Sequence, residues 1–294
     1  MISDKIKIRI FPEHNYKAIH FNGKTIRIAL NPKRPIDKLS YPEFYDIKIT
    51  SYCEGNCPWC YQGSSAVYSH DRNIVNKFIS FFGQLTDNQK PFQLAVGGGE
   101  PTAHPDFIKL ITVCHEMGIT PNYTTNGMWV NTKKQINELL QATSDYCGGV
   151  AVSTHSHLKW QWKLATELYL SKNIFTNLHI IVGDKNSIDN FVDIYKEYRG
   201  RIKYFVLLPL IAQGRSKESF SEWDYLKARI RKDSSDIAFG ANFYSYLVKD
   251  PNSLDKFNIN IYVPEIVSAY LDLETMKVYP SSFSAECIKQ IENQ

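Results

Sequence analysis

Three thiols fall close together in one short stretch, Ser51 to Gly63, which reads SYCEGNCPWCYQG. Cys53, Cys57 and Cys60 are spaced C-x3-C-x2-C, with Trp59 just before the last thiol and Tyr61 just after it. Gly55, Asn56 and Pro58 interrupt any regular helix or strand here, so the stretch reads as a loop whose thiols turn inward. Two ligand chemistries fit. A four-iron cluster is usually held by four thiolates, so three would leave one iron open to another ligand. A structural zinc site, the signature of a non-catalytic binding module, needs a fourth Cys or His. His70 is the nearest histidine downstream, and Cys-x3-Cys is looser than the paired Cys-x2-Cys of most zinc folds.

The elements around the loop must hold it. Tyr45 to Thr50, YDIKIT, reads as a strand running straight into the cysteines. From there to about residue 215, apolar strands alternate with amphipathic helices. A helix over 71–86, with Ile74, Phe78, Ile79 and Phe82 at helical spacing, precedes the strand PFQLAVGGGE. Helices over 104–117, 132–142, 158–171 and 188–199 then alternate with the strands TPNYTTNG, GGVAVSTH, NLHIIVGD and KYFVLLPL. Six strands, each followed by a helix or room for one, imply βαβ units and a parallel sheet. Right-handed crossovers put the functional loops at the strands' C-terminal ends. The cysteine loop, the glycine run, Thr-Asn-Gly, Ser-Thr-His, Gly-Asp-Lys and Gln-Gly-Arg all fall there.

The ends of the chain have a different character. Residues 1–44 alternate at Ile6, Ile8 and Ile10, at Ala18 and His20, and at Ile26 and Ile28. Asn22-Gly23 supplies a hairpin signal, and the segment closes in the linker NPKRPIDKLSYPEF. Beyond residue 216, the charged helix EWDYLKARIRK leads into ANFYSYLV, FNINIYV and SAYLDLETMKVYPSSFS, all with β character, as a hairpin or small sheet covering one side. The expected organisation is therefore a β-rich extension over 1–44, a core over 45–215 and a C-terminal helix and β cap over 216–294.

The cysteine spacing after the first strand of an α/β array, with an aromatic before the last thiol, resembles the radical S-adenosylmethionine enzymes. The resemblance continues in order along residues 45–215. Gly98, Gly99 and Glu100, in VGGGEP, look like that family's Gly-Gly-Glu motif, whose exposed backbone binds the methionine ammonium; a tight strand-to-helix turn would also use these glycines. Thr125 and Asn126 resemble its Thr-Asn-Gly, although Asn-Gly is also simply a turn. Ser153 stands where members often place a polar side chain against the ribose or carboxylate, and Val182 and Leu210 resemble the apolar walls around adenine, with core packing as the other explanation. The resemblance implies a partial (β/α)6 TIM-like barrel in which Cys53, Cys57 and Cys60 bind a [4Fe-4S] cluster, with S-adenosylmethionine on the remaining iron. One electron from an external reductant such as flavodoxin or ferredoxin would then yield a 5′-deoxyadenosyl radical that takes hydrogen from substrate. Peptide-modifying relatives carry cysteines in a C-terminal extension; here Ser281 follows Tyr279-Pro280 and only Cys287 lies beyond, as in a degenerate version of it. A peptide or protein side chain is the expected substrate, with a nucleotide or other small metabolite as the alternative.

His155, His157, Gln213 and Arg215 sit at the same strand ends and could face substrate, although each reads as readily as a solvated loop residue or a structural hydrogen-bonder, while Cys114 and Cys147 read as buried apolar residues. Composition sets the outer limits. The chain has 294 residues, 43% apolar and 22% charged, enough for a substantial core without stapling. A net charge of +4, from 34 basic and 30 acidic residues, is too mild for the dense basic stripe of a nucleic-acid binder. No run approaches the roughly 20 apolar residues that span a bilayer, and the N-terminus lacks a signal-peptide core, so a cytoplasmic enzyme is expected.

Overall fold

The computed structural model describes residues 6–21, 24–131, 133–230, 235–250 and 264–290. Three strands, β1 (Lys7–Phe11), β2 (Tyr16–Phe21) and β3 (Lys24–Ala29), form an antiparallel sheet in the order β1-β2-β3. Asn22-Gly23 lies outside the described residues. The alternation sorts the two faces: Arg9, Phe11, Tyr16, Ala18 and His20 are buried, whereas Ile8, Ile10, Ile26 and Ile28 face solvent. The packed face is fixed by polar anchors. The Arg9 guanidinium donates to the carbonyls of Tyr41 and Lys90, and the Glu43 carboxylate accepts from the Tyr16 hydroxyl and from Arg27. Asn15 Nδ2 donates to the carbonyls of Asn31, Arg34 and Pro35, which folds the linker back against the sheet.

The barrel begins at β4 (Phe44–Thr50), where Tyr45, Ile47 and Ile49 are buried and alternate with Asp46 and Lys48. It continues through α1 (Ile74–Gly83), β5 (Gln93–Gly98), α2 (Phe107–Glu116), β6 (Thr120–Thr125), α3 (Lys133–Tyr146), β7 (Gly149–Ser153), α4 (Lys159–Ser171), β8 (Thr176–Val182), α5 (Lys185–Tyr198) and β9 (Tyr204–Pro209). All six barrel strands pair in parallel, as the alternation with helices requires. Phe78 and Phe82 of α1 are fully buried, and the Tyr45 ring meets Phe81 and Phe82 edge-on, so this face of β4 belongs to the helix layer. Ile79, although at helical spacing, is 43% exposed, because the apolar stripe runs through 74, 75, 78, 81 and 82. Cys114 and Cys147 are buried, as their apolar surroundings predict.

Beyond β9 come α6 (Trp223–Arg229), β10 (Ile237–Phe239), α7 (Tyr244–Lys249), the short α8 (Pro264–Val267), β11 (Ser268–Asp272), β12 (Lys277–Tyr279) and β13 (Lys289–Gln290). ANFYSYLV, expected to be extended, is a 3-10 turn followed by α7; its Phe243 and Leu247 are buried while Ser245 between them is exposed, whereas a strand would put all three on one face. FNINIYV lies outside the described residues. The hairpin expected in SAYLDLETMKVY is present as β11 and β12, and β11 pairs in parallel with β4. The sheet therefore has ten strands in the order β10-β9-β8-β7-β6-β5-β4-β11-β12-β13, and among the described residues its two ends do not meet. It is an open barrel whose second wall is built by the end of the chain.

Candidate active site

The cysteine loop leaves β4 through a register slip: Lys48 pairs with Gly97 and Thr50 with Gly98, so Ile49 has no counterpart. Such a bulge bends the strand and re-aims the residues beyond it. The neck of the loop is closed by Cys53 N donating to Ser65 O and Ser65 N donating to Ser51 O, each at 3.2 Å. Inside it, Cys60 N donates to Cys57 O, and Asn56 takes a left-handed conformation with φ of 45°. A Cβ added to Gly55 would sit 3.3 Å from the Cys53 sulfur and 3.6 Å from that of Cys57, so this glycine lets the loop close between two thiols. Burial pushes the Cys53 thiol up to about 11 and the Cys57 thiol up to about 12. Both are therefore protonated until a metal displaces the proton.

The glycine run lies directly against this loop. Gly99 N donates to Thr50 O at 2.6 Å and Glu100 N to Tyr52 O at 2.8 Å. A Cβ at Gly99 would fall 2.0 Å from Tyr52 O, so any side chain there would push the loop away, whereas one at Gly97 would meet nothing within 4 Å. Gly98 adopts φ of 119°, which glycine alone takes readily. The Glu100 carboxylate is spent on protein donors: Thr102 N, the Thr102 and Thr125 hydroxyls, and Asn126 N at 2.7 Å. Burial raises its carboxyl, and these donors oppose the rise. Glu100 thus ties the glycine run to Thr125-Asn126. That tie aims the Asn126 amide, whose Nδ2 lies 3.7 Å from the Cys53 sulfur.

The other residues singled out in the sequence divide. Trp59 packs against the stacked pair His155 and His157, with ring centroids at 5.7 and 5.5 Å, and its indole Nε1–H is buried without an acceptor. Tyr61 packs on Phe283 with ring centroids 4.5 Å apart and planes tilted by 35°. Ser153 ends β7 beside His179, its partner in register on β8. Val182 is fully buried in the core, and its carbonyl accepts from Leu210 N; Leu210 is half-buried against Gly183. His157 does not point to open space: Nε2 donates to Gly55 O at 2.8 Å and lies 3.6 Å from the Cys57 sulfur. Arg215 likewise turns into the cysteine loop. Its Nε donates to Cys57 O at 2.8 Å, Nη1 to Ser64 O at 2.7 Å, and its backbone N–H to Cys60 O at 3.0 Å. Asp184 is accounted for as the N-cap of α5, accepting from Ser187 N.

One loop anchor carried no local signal in the sequence. Glu274, in the turn between β11 and β12, accepts from Ser51 N at 3.1 Å and the Ser51 hydroxyl at 2.6 Å, and pairs with Lys48 at 3.0 Å. Burial and these donors oppose one another at its carboxyl, and the donors prevail, holding it below the usual carboxylate range.

The donor set suits a multi-iron group. Three thiols held in one loop fit the thiolate ligands of an iron–sulfur cluster, each bonding a different iron and leaving one iron without a protein ligand. A Cβ at Gly97 would meet nothing within 4 Å, so the backbone there is reachable by a further ligand.

An open parallel barrel with three thiols in the loop after its first strand, and bare backbone at the end of the second, defines a class: enzymes that hold a metal cluster and a co-ligand at the C-terminal mouth. The chain belongs to the radical SAM superfamily, whose sequence model matches residues 47–211, and is an enzyme of that class. Membership implies S-adenosylmethionine and an iron–sulfur cluster. A "PqqA peptide cyclase" of Methylorubrum extorquens is 27% identical over 96 residues, 32% of this chain and 24% of that protein. The match thus spans about a quarter of that relative's length. In fold, the chain is similar to Streptococcus suis SuiB bound to S-adenosylmethionine, with a TM-score of 0.68 at 13% identity, covering 96% of this chain and 83% of that one. SuiB bound to precursor peptide SuiA gives 0.59 at 17% identity, covering 83% and 60%.

Proposed function

We propose that the protein initiates radical chemistry on a peptide or protein side chain, with Cys53, Cys57 and Cys60 holding a [4Fe-4S] cluster. When bound, that group would pass one electron to S-adenosylmethionine, breaking its sulfonium C–S bond to release methionine and a 5′-deoxyadenosyl radical that takes hydrogen from substrate. The chain's own residues do the rest. Arg215 and Glu274 fix the loop, Glu100 sets Asn126 beside Cys53, and the backbone at Gly97 is open to the amino and carboxylate groups of the cofactor. Trp59, Ser153 and Leu210 lie around the same mouth, Thr125 braces it through Glu100, and Tyr61 leads from it towards the C-terminal hairpin. The observation that carries the reading is the placement of three thiols against the glycine run, at 2.6 and 2.8 Å between backbones. The peptide substrate is supported by the relatives, one a peptide cyclase and one bound to a precursor peptide. A flavodoxin- or ferredoxin-type donor would supply the electron, and the free thiols suit a reducing cytoplasm.

Anaerobically reconstituted protein should contain iron and sulfide near four each per chain, the stoichiometry of a four-iron cluster. With a strong reductant it should convert S-adenosylmethionine to 5′-deoxyadenosine, and Cys57→Ala should abolish both properties. Tight zinc without sulfide would overturn the reading.

A further inference from the structure

Arg215 grips the backbone of the cysteine loop, whereas two other side chains reach its sulfurs. Asn126 Nδ2 lies 3.7 Å from Cys53 Sγ, and His157 Nε2 lies 3.6 Å from Cys57 Sγ. Asn126 belongs to a motif at the end of β6; His157 belongs to none. It stands in the 3-10 turn Ser156–Leu158 that follows β7, pinned by the buried Leu158, whose N–H donates to His155 O at 3.0 Å. The His157 ring stacks on His155 at 5.9 Å and meets Trp59 edge-on at 5.5 Å, so two aromatic contacts hold its direction. The imidazole itself is exposed, while the Cys57 side chain that it touches is buried.

The second neighbour of that nitrogen fixes where its proton is. Gly55 O, 2.8 Å away, can only accept, so Nε2 carries the hydrogen. The Cys57 thiol, 3.8 Å from the same carbonyl, competes for it while protonated. Once a metal has displaced the thiol proton, the sulfur stops competing and becomes an acceptor itself. The Nε2–H then stands between a carbonyl and a thiolate. We infer that His157 tunes the iron–sulfur group held by Cys53, Cys57 and Cys60: its Nε2–H, shared between Gly55 O and the Cys57 thiolate, favours the one-electron-reduced state and raises the reduction potential. Hydrogen bonds to the sulfurs are among the features that set such potentials. The direction follows from charge, because a donor stabilises the sulfur more as negative charge on it grows. The inference rests on the cluster reading of the same loop and adds to it a positioning residue that acts through Cys57.

The test is a potentiometric titration of the anaerobically reconstituted full chain, without S-adenosylmethionine, followed by electron paramagnetic resonance. His157→Phe keeps an aromatic ring against Trp59 and His155 and removes the N–H. At a fixed potential its ratio of reduced to oxidised cluster should fall about tenfold, a downward shift of about 59 mV for one electron, with iron and sulfide per chain unchanged. His157→Gln, whose amide can donate, should recover most of that shift. An unchanged or raised midpoint in the phenylalanine variant, or an equally lowered one in the glutamine variant, overturns the inference. So does loss of the cluster from the phenylalanine variant, which would make His157 only a brace for Gly55. Formation of 5′-deoxyadenosine by the unsubstituted protein is read in parallel. Protein that makes it while the midpoint ignores the N–H refutes only the role of His157. A midpoint that follows the N–H in protein that makes none refutes only the radical reading, and a chain that takes up no iron and sulfide refutes both.

Discussion

At the scale of single residues, the site depends on side chains that touch the loop backbone rather than the thiols. Arg215 spans the loop with one planar group, reaching Cys57 O and Ser64 O together, while its own N–H holds Cys60 O. Such a fork cannot be reproduced by an ammonium. Arg215→Ala should therefore loosen the loop by about 2 kcal/mol, the order of a charge-assisted hydrogen bond left unmade. Iron and sulfide retained per chain after gel filtration should fall, while far-ultraviolet circular dichroism stays unchanged; full retention would refute the role. The sequence made the thiols, the glycine run and Thr125-Asn126 legible because each motif is contiguous and each follows a strand. For Arg215 and His157 it leaves two readings open, a face towards substrate or a structural hydrogen bond, and the structure shows the second. Residue type and strand end are visible in sequence, but the direction of a long side chain is settled by which backbone carbonyls remain unpaired nearby.

At the scale of elements, periodicity carries most of the information. The strands from Tyr45 to Pro209 and their helices follow from alternation and from the 3.6-residue stripe, with boundaries shifted by a few residues. The failures come where that signal is short. ANFYSYLV has too few residues for its aromatic content to separate a strand from one helical turn, and its packing against Phe220 and Trp223 decides the matter. The hairpin itself is legible, but its parallel pairing with β4 is not, because nothing local marks a partner more than two hundred residues away. That pairing predicts a dependence. Glu274→Ala removes the acceptor for both Ser51 groups and one of two carboxylates on Lys48, and should cost about 2 kcal/mol in urea unfolding. Iron retention should fall with it. Asp272→Asn, which keeps the Oδ1 acceptor for Glu274 N and leaves Ser51 satisfied, should spare the iron.

At the scale of the whole molecule, buried histidines set the response to acid. His20 stacks on Phe92 at 5.0 Å, and burial, helped by Lys7, pulls its imidazole down to about 4; burial does the same to His179. An unfolded histidine titrates near 6.5. Between those values the unfolded chain binds protons that the folded one refuses, so stability is full above about 6.5 and is lost as the pH falls towards 4. Urea midpoints should decline across that window, and His20→Phe, which keeps the stacking without titrating, should flatten the decline. An unchanged slope would remove His20 from the account. The seam between β4 and β11 also orders events in time. Ser51 and Glu274 are 223 positions apart, so a chain emerging from the ribosome can form every barrel strand from β4 to β9 while its cysteine loop still lacks an anchor. Because domains assemble as the chain is synthesised from its N-terminus, the anchor of the cysteine loop is completed only after the β11–β12 hairpin has been released and docked.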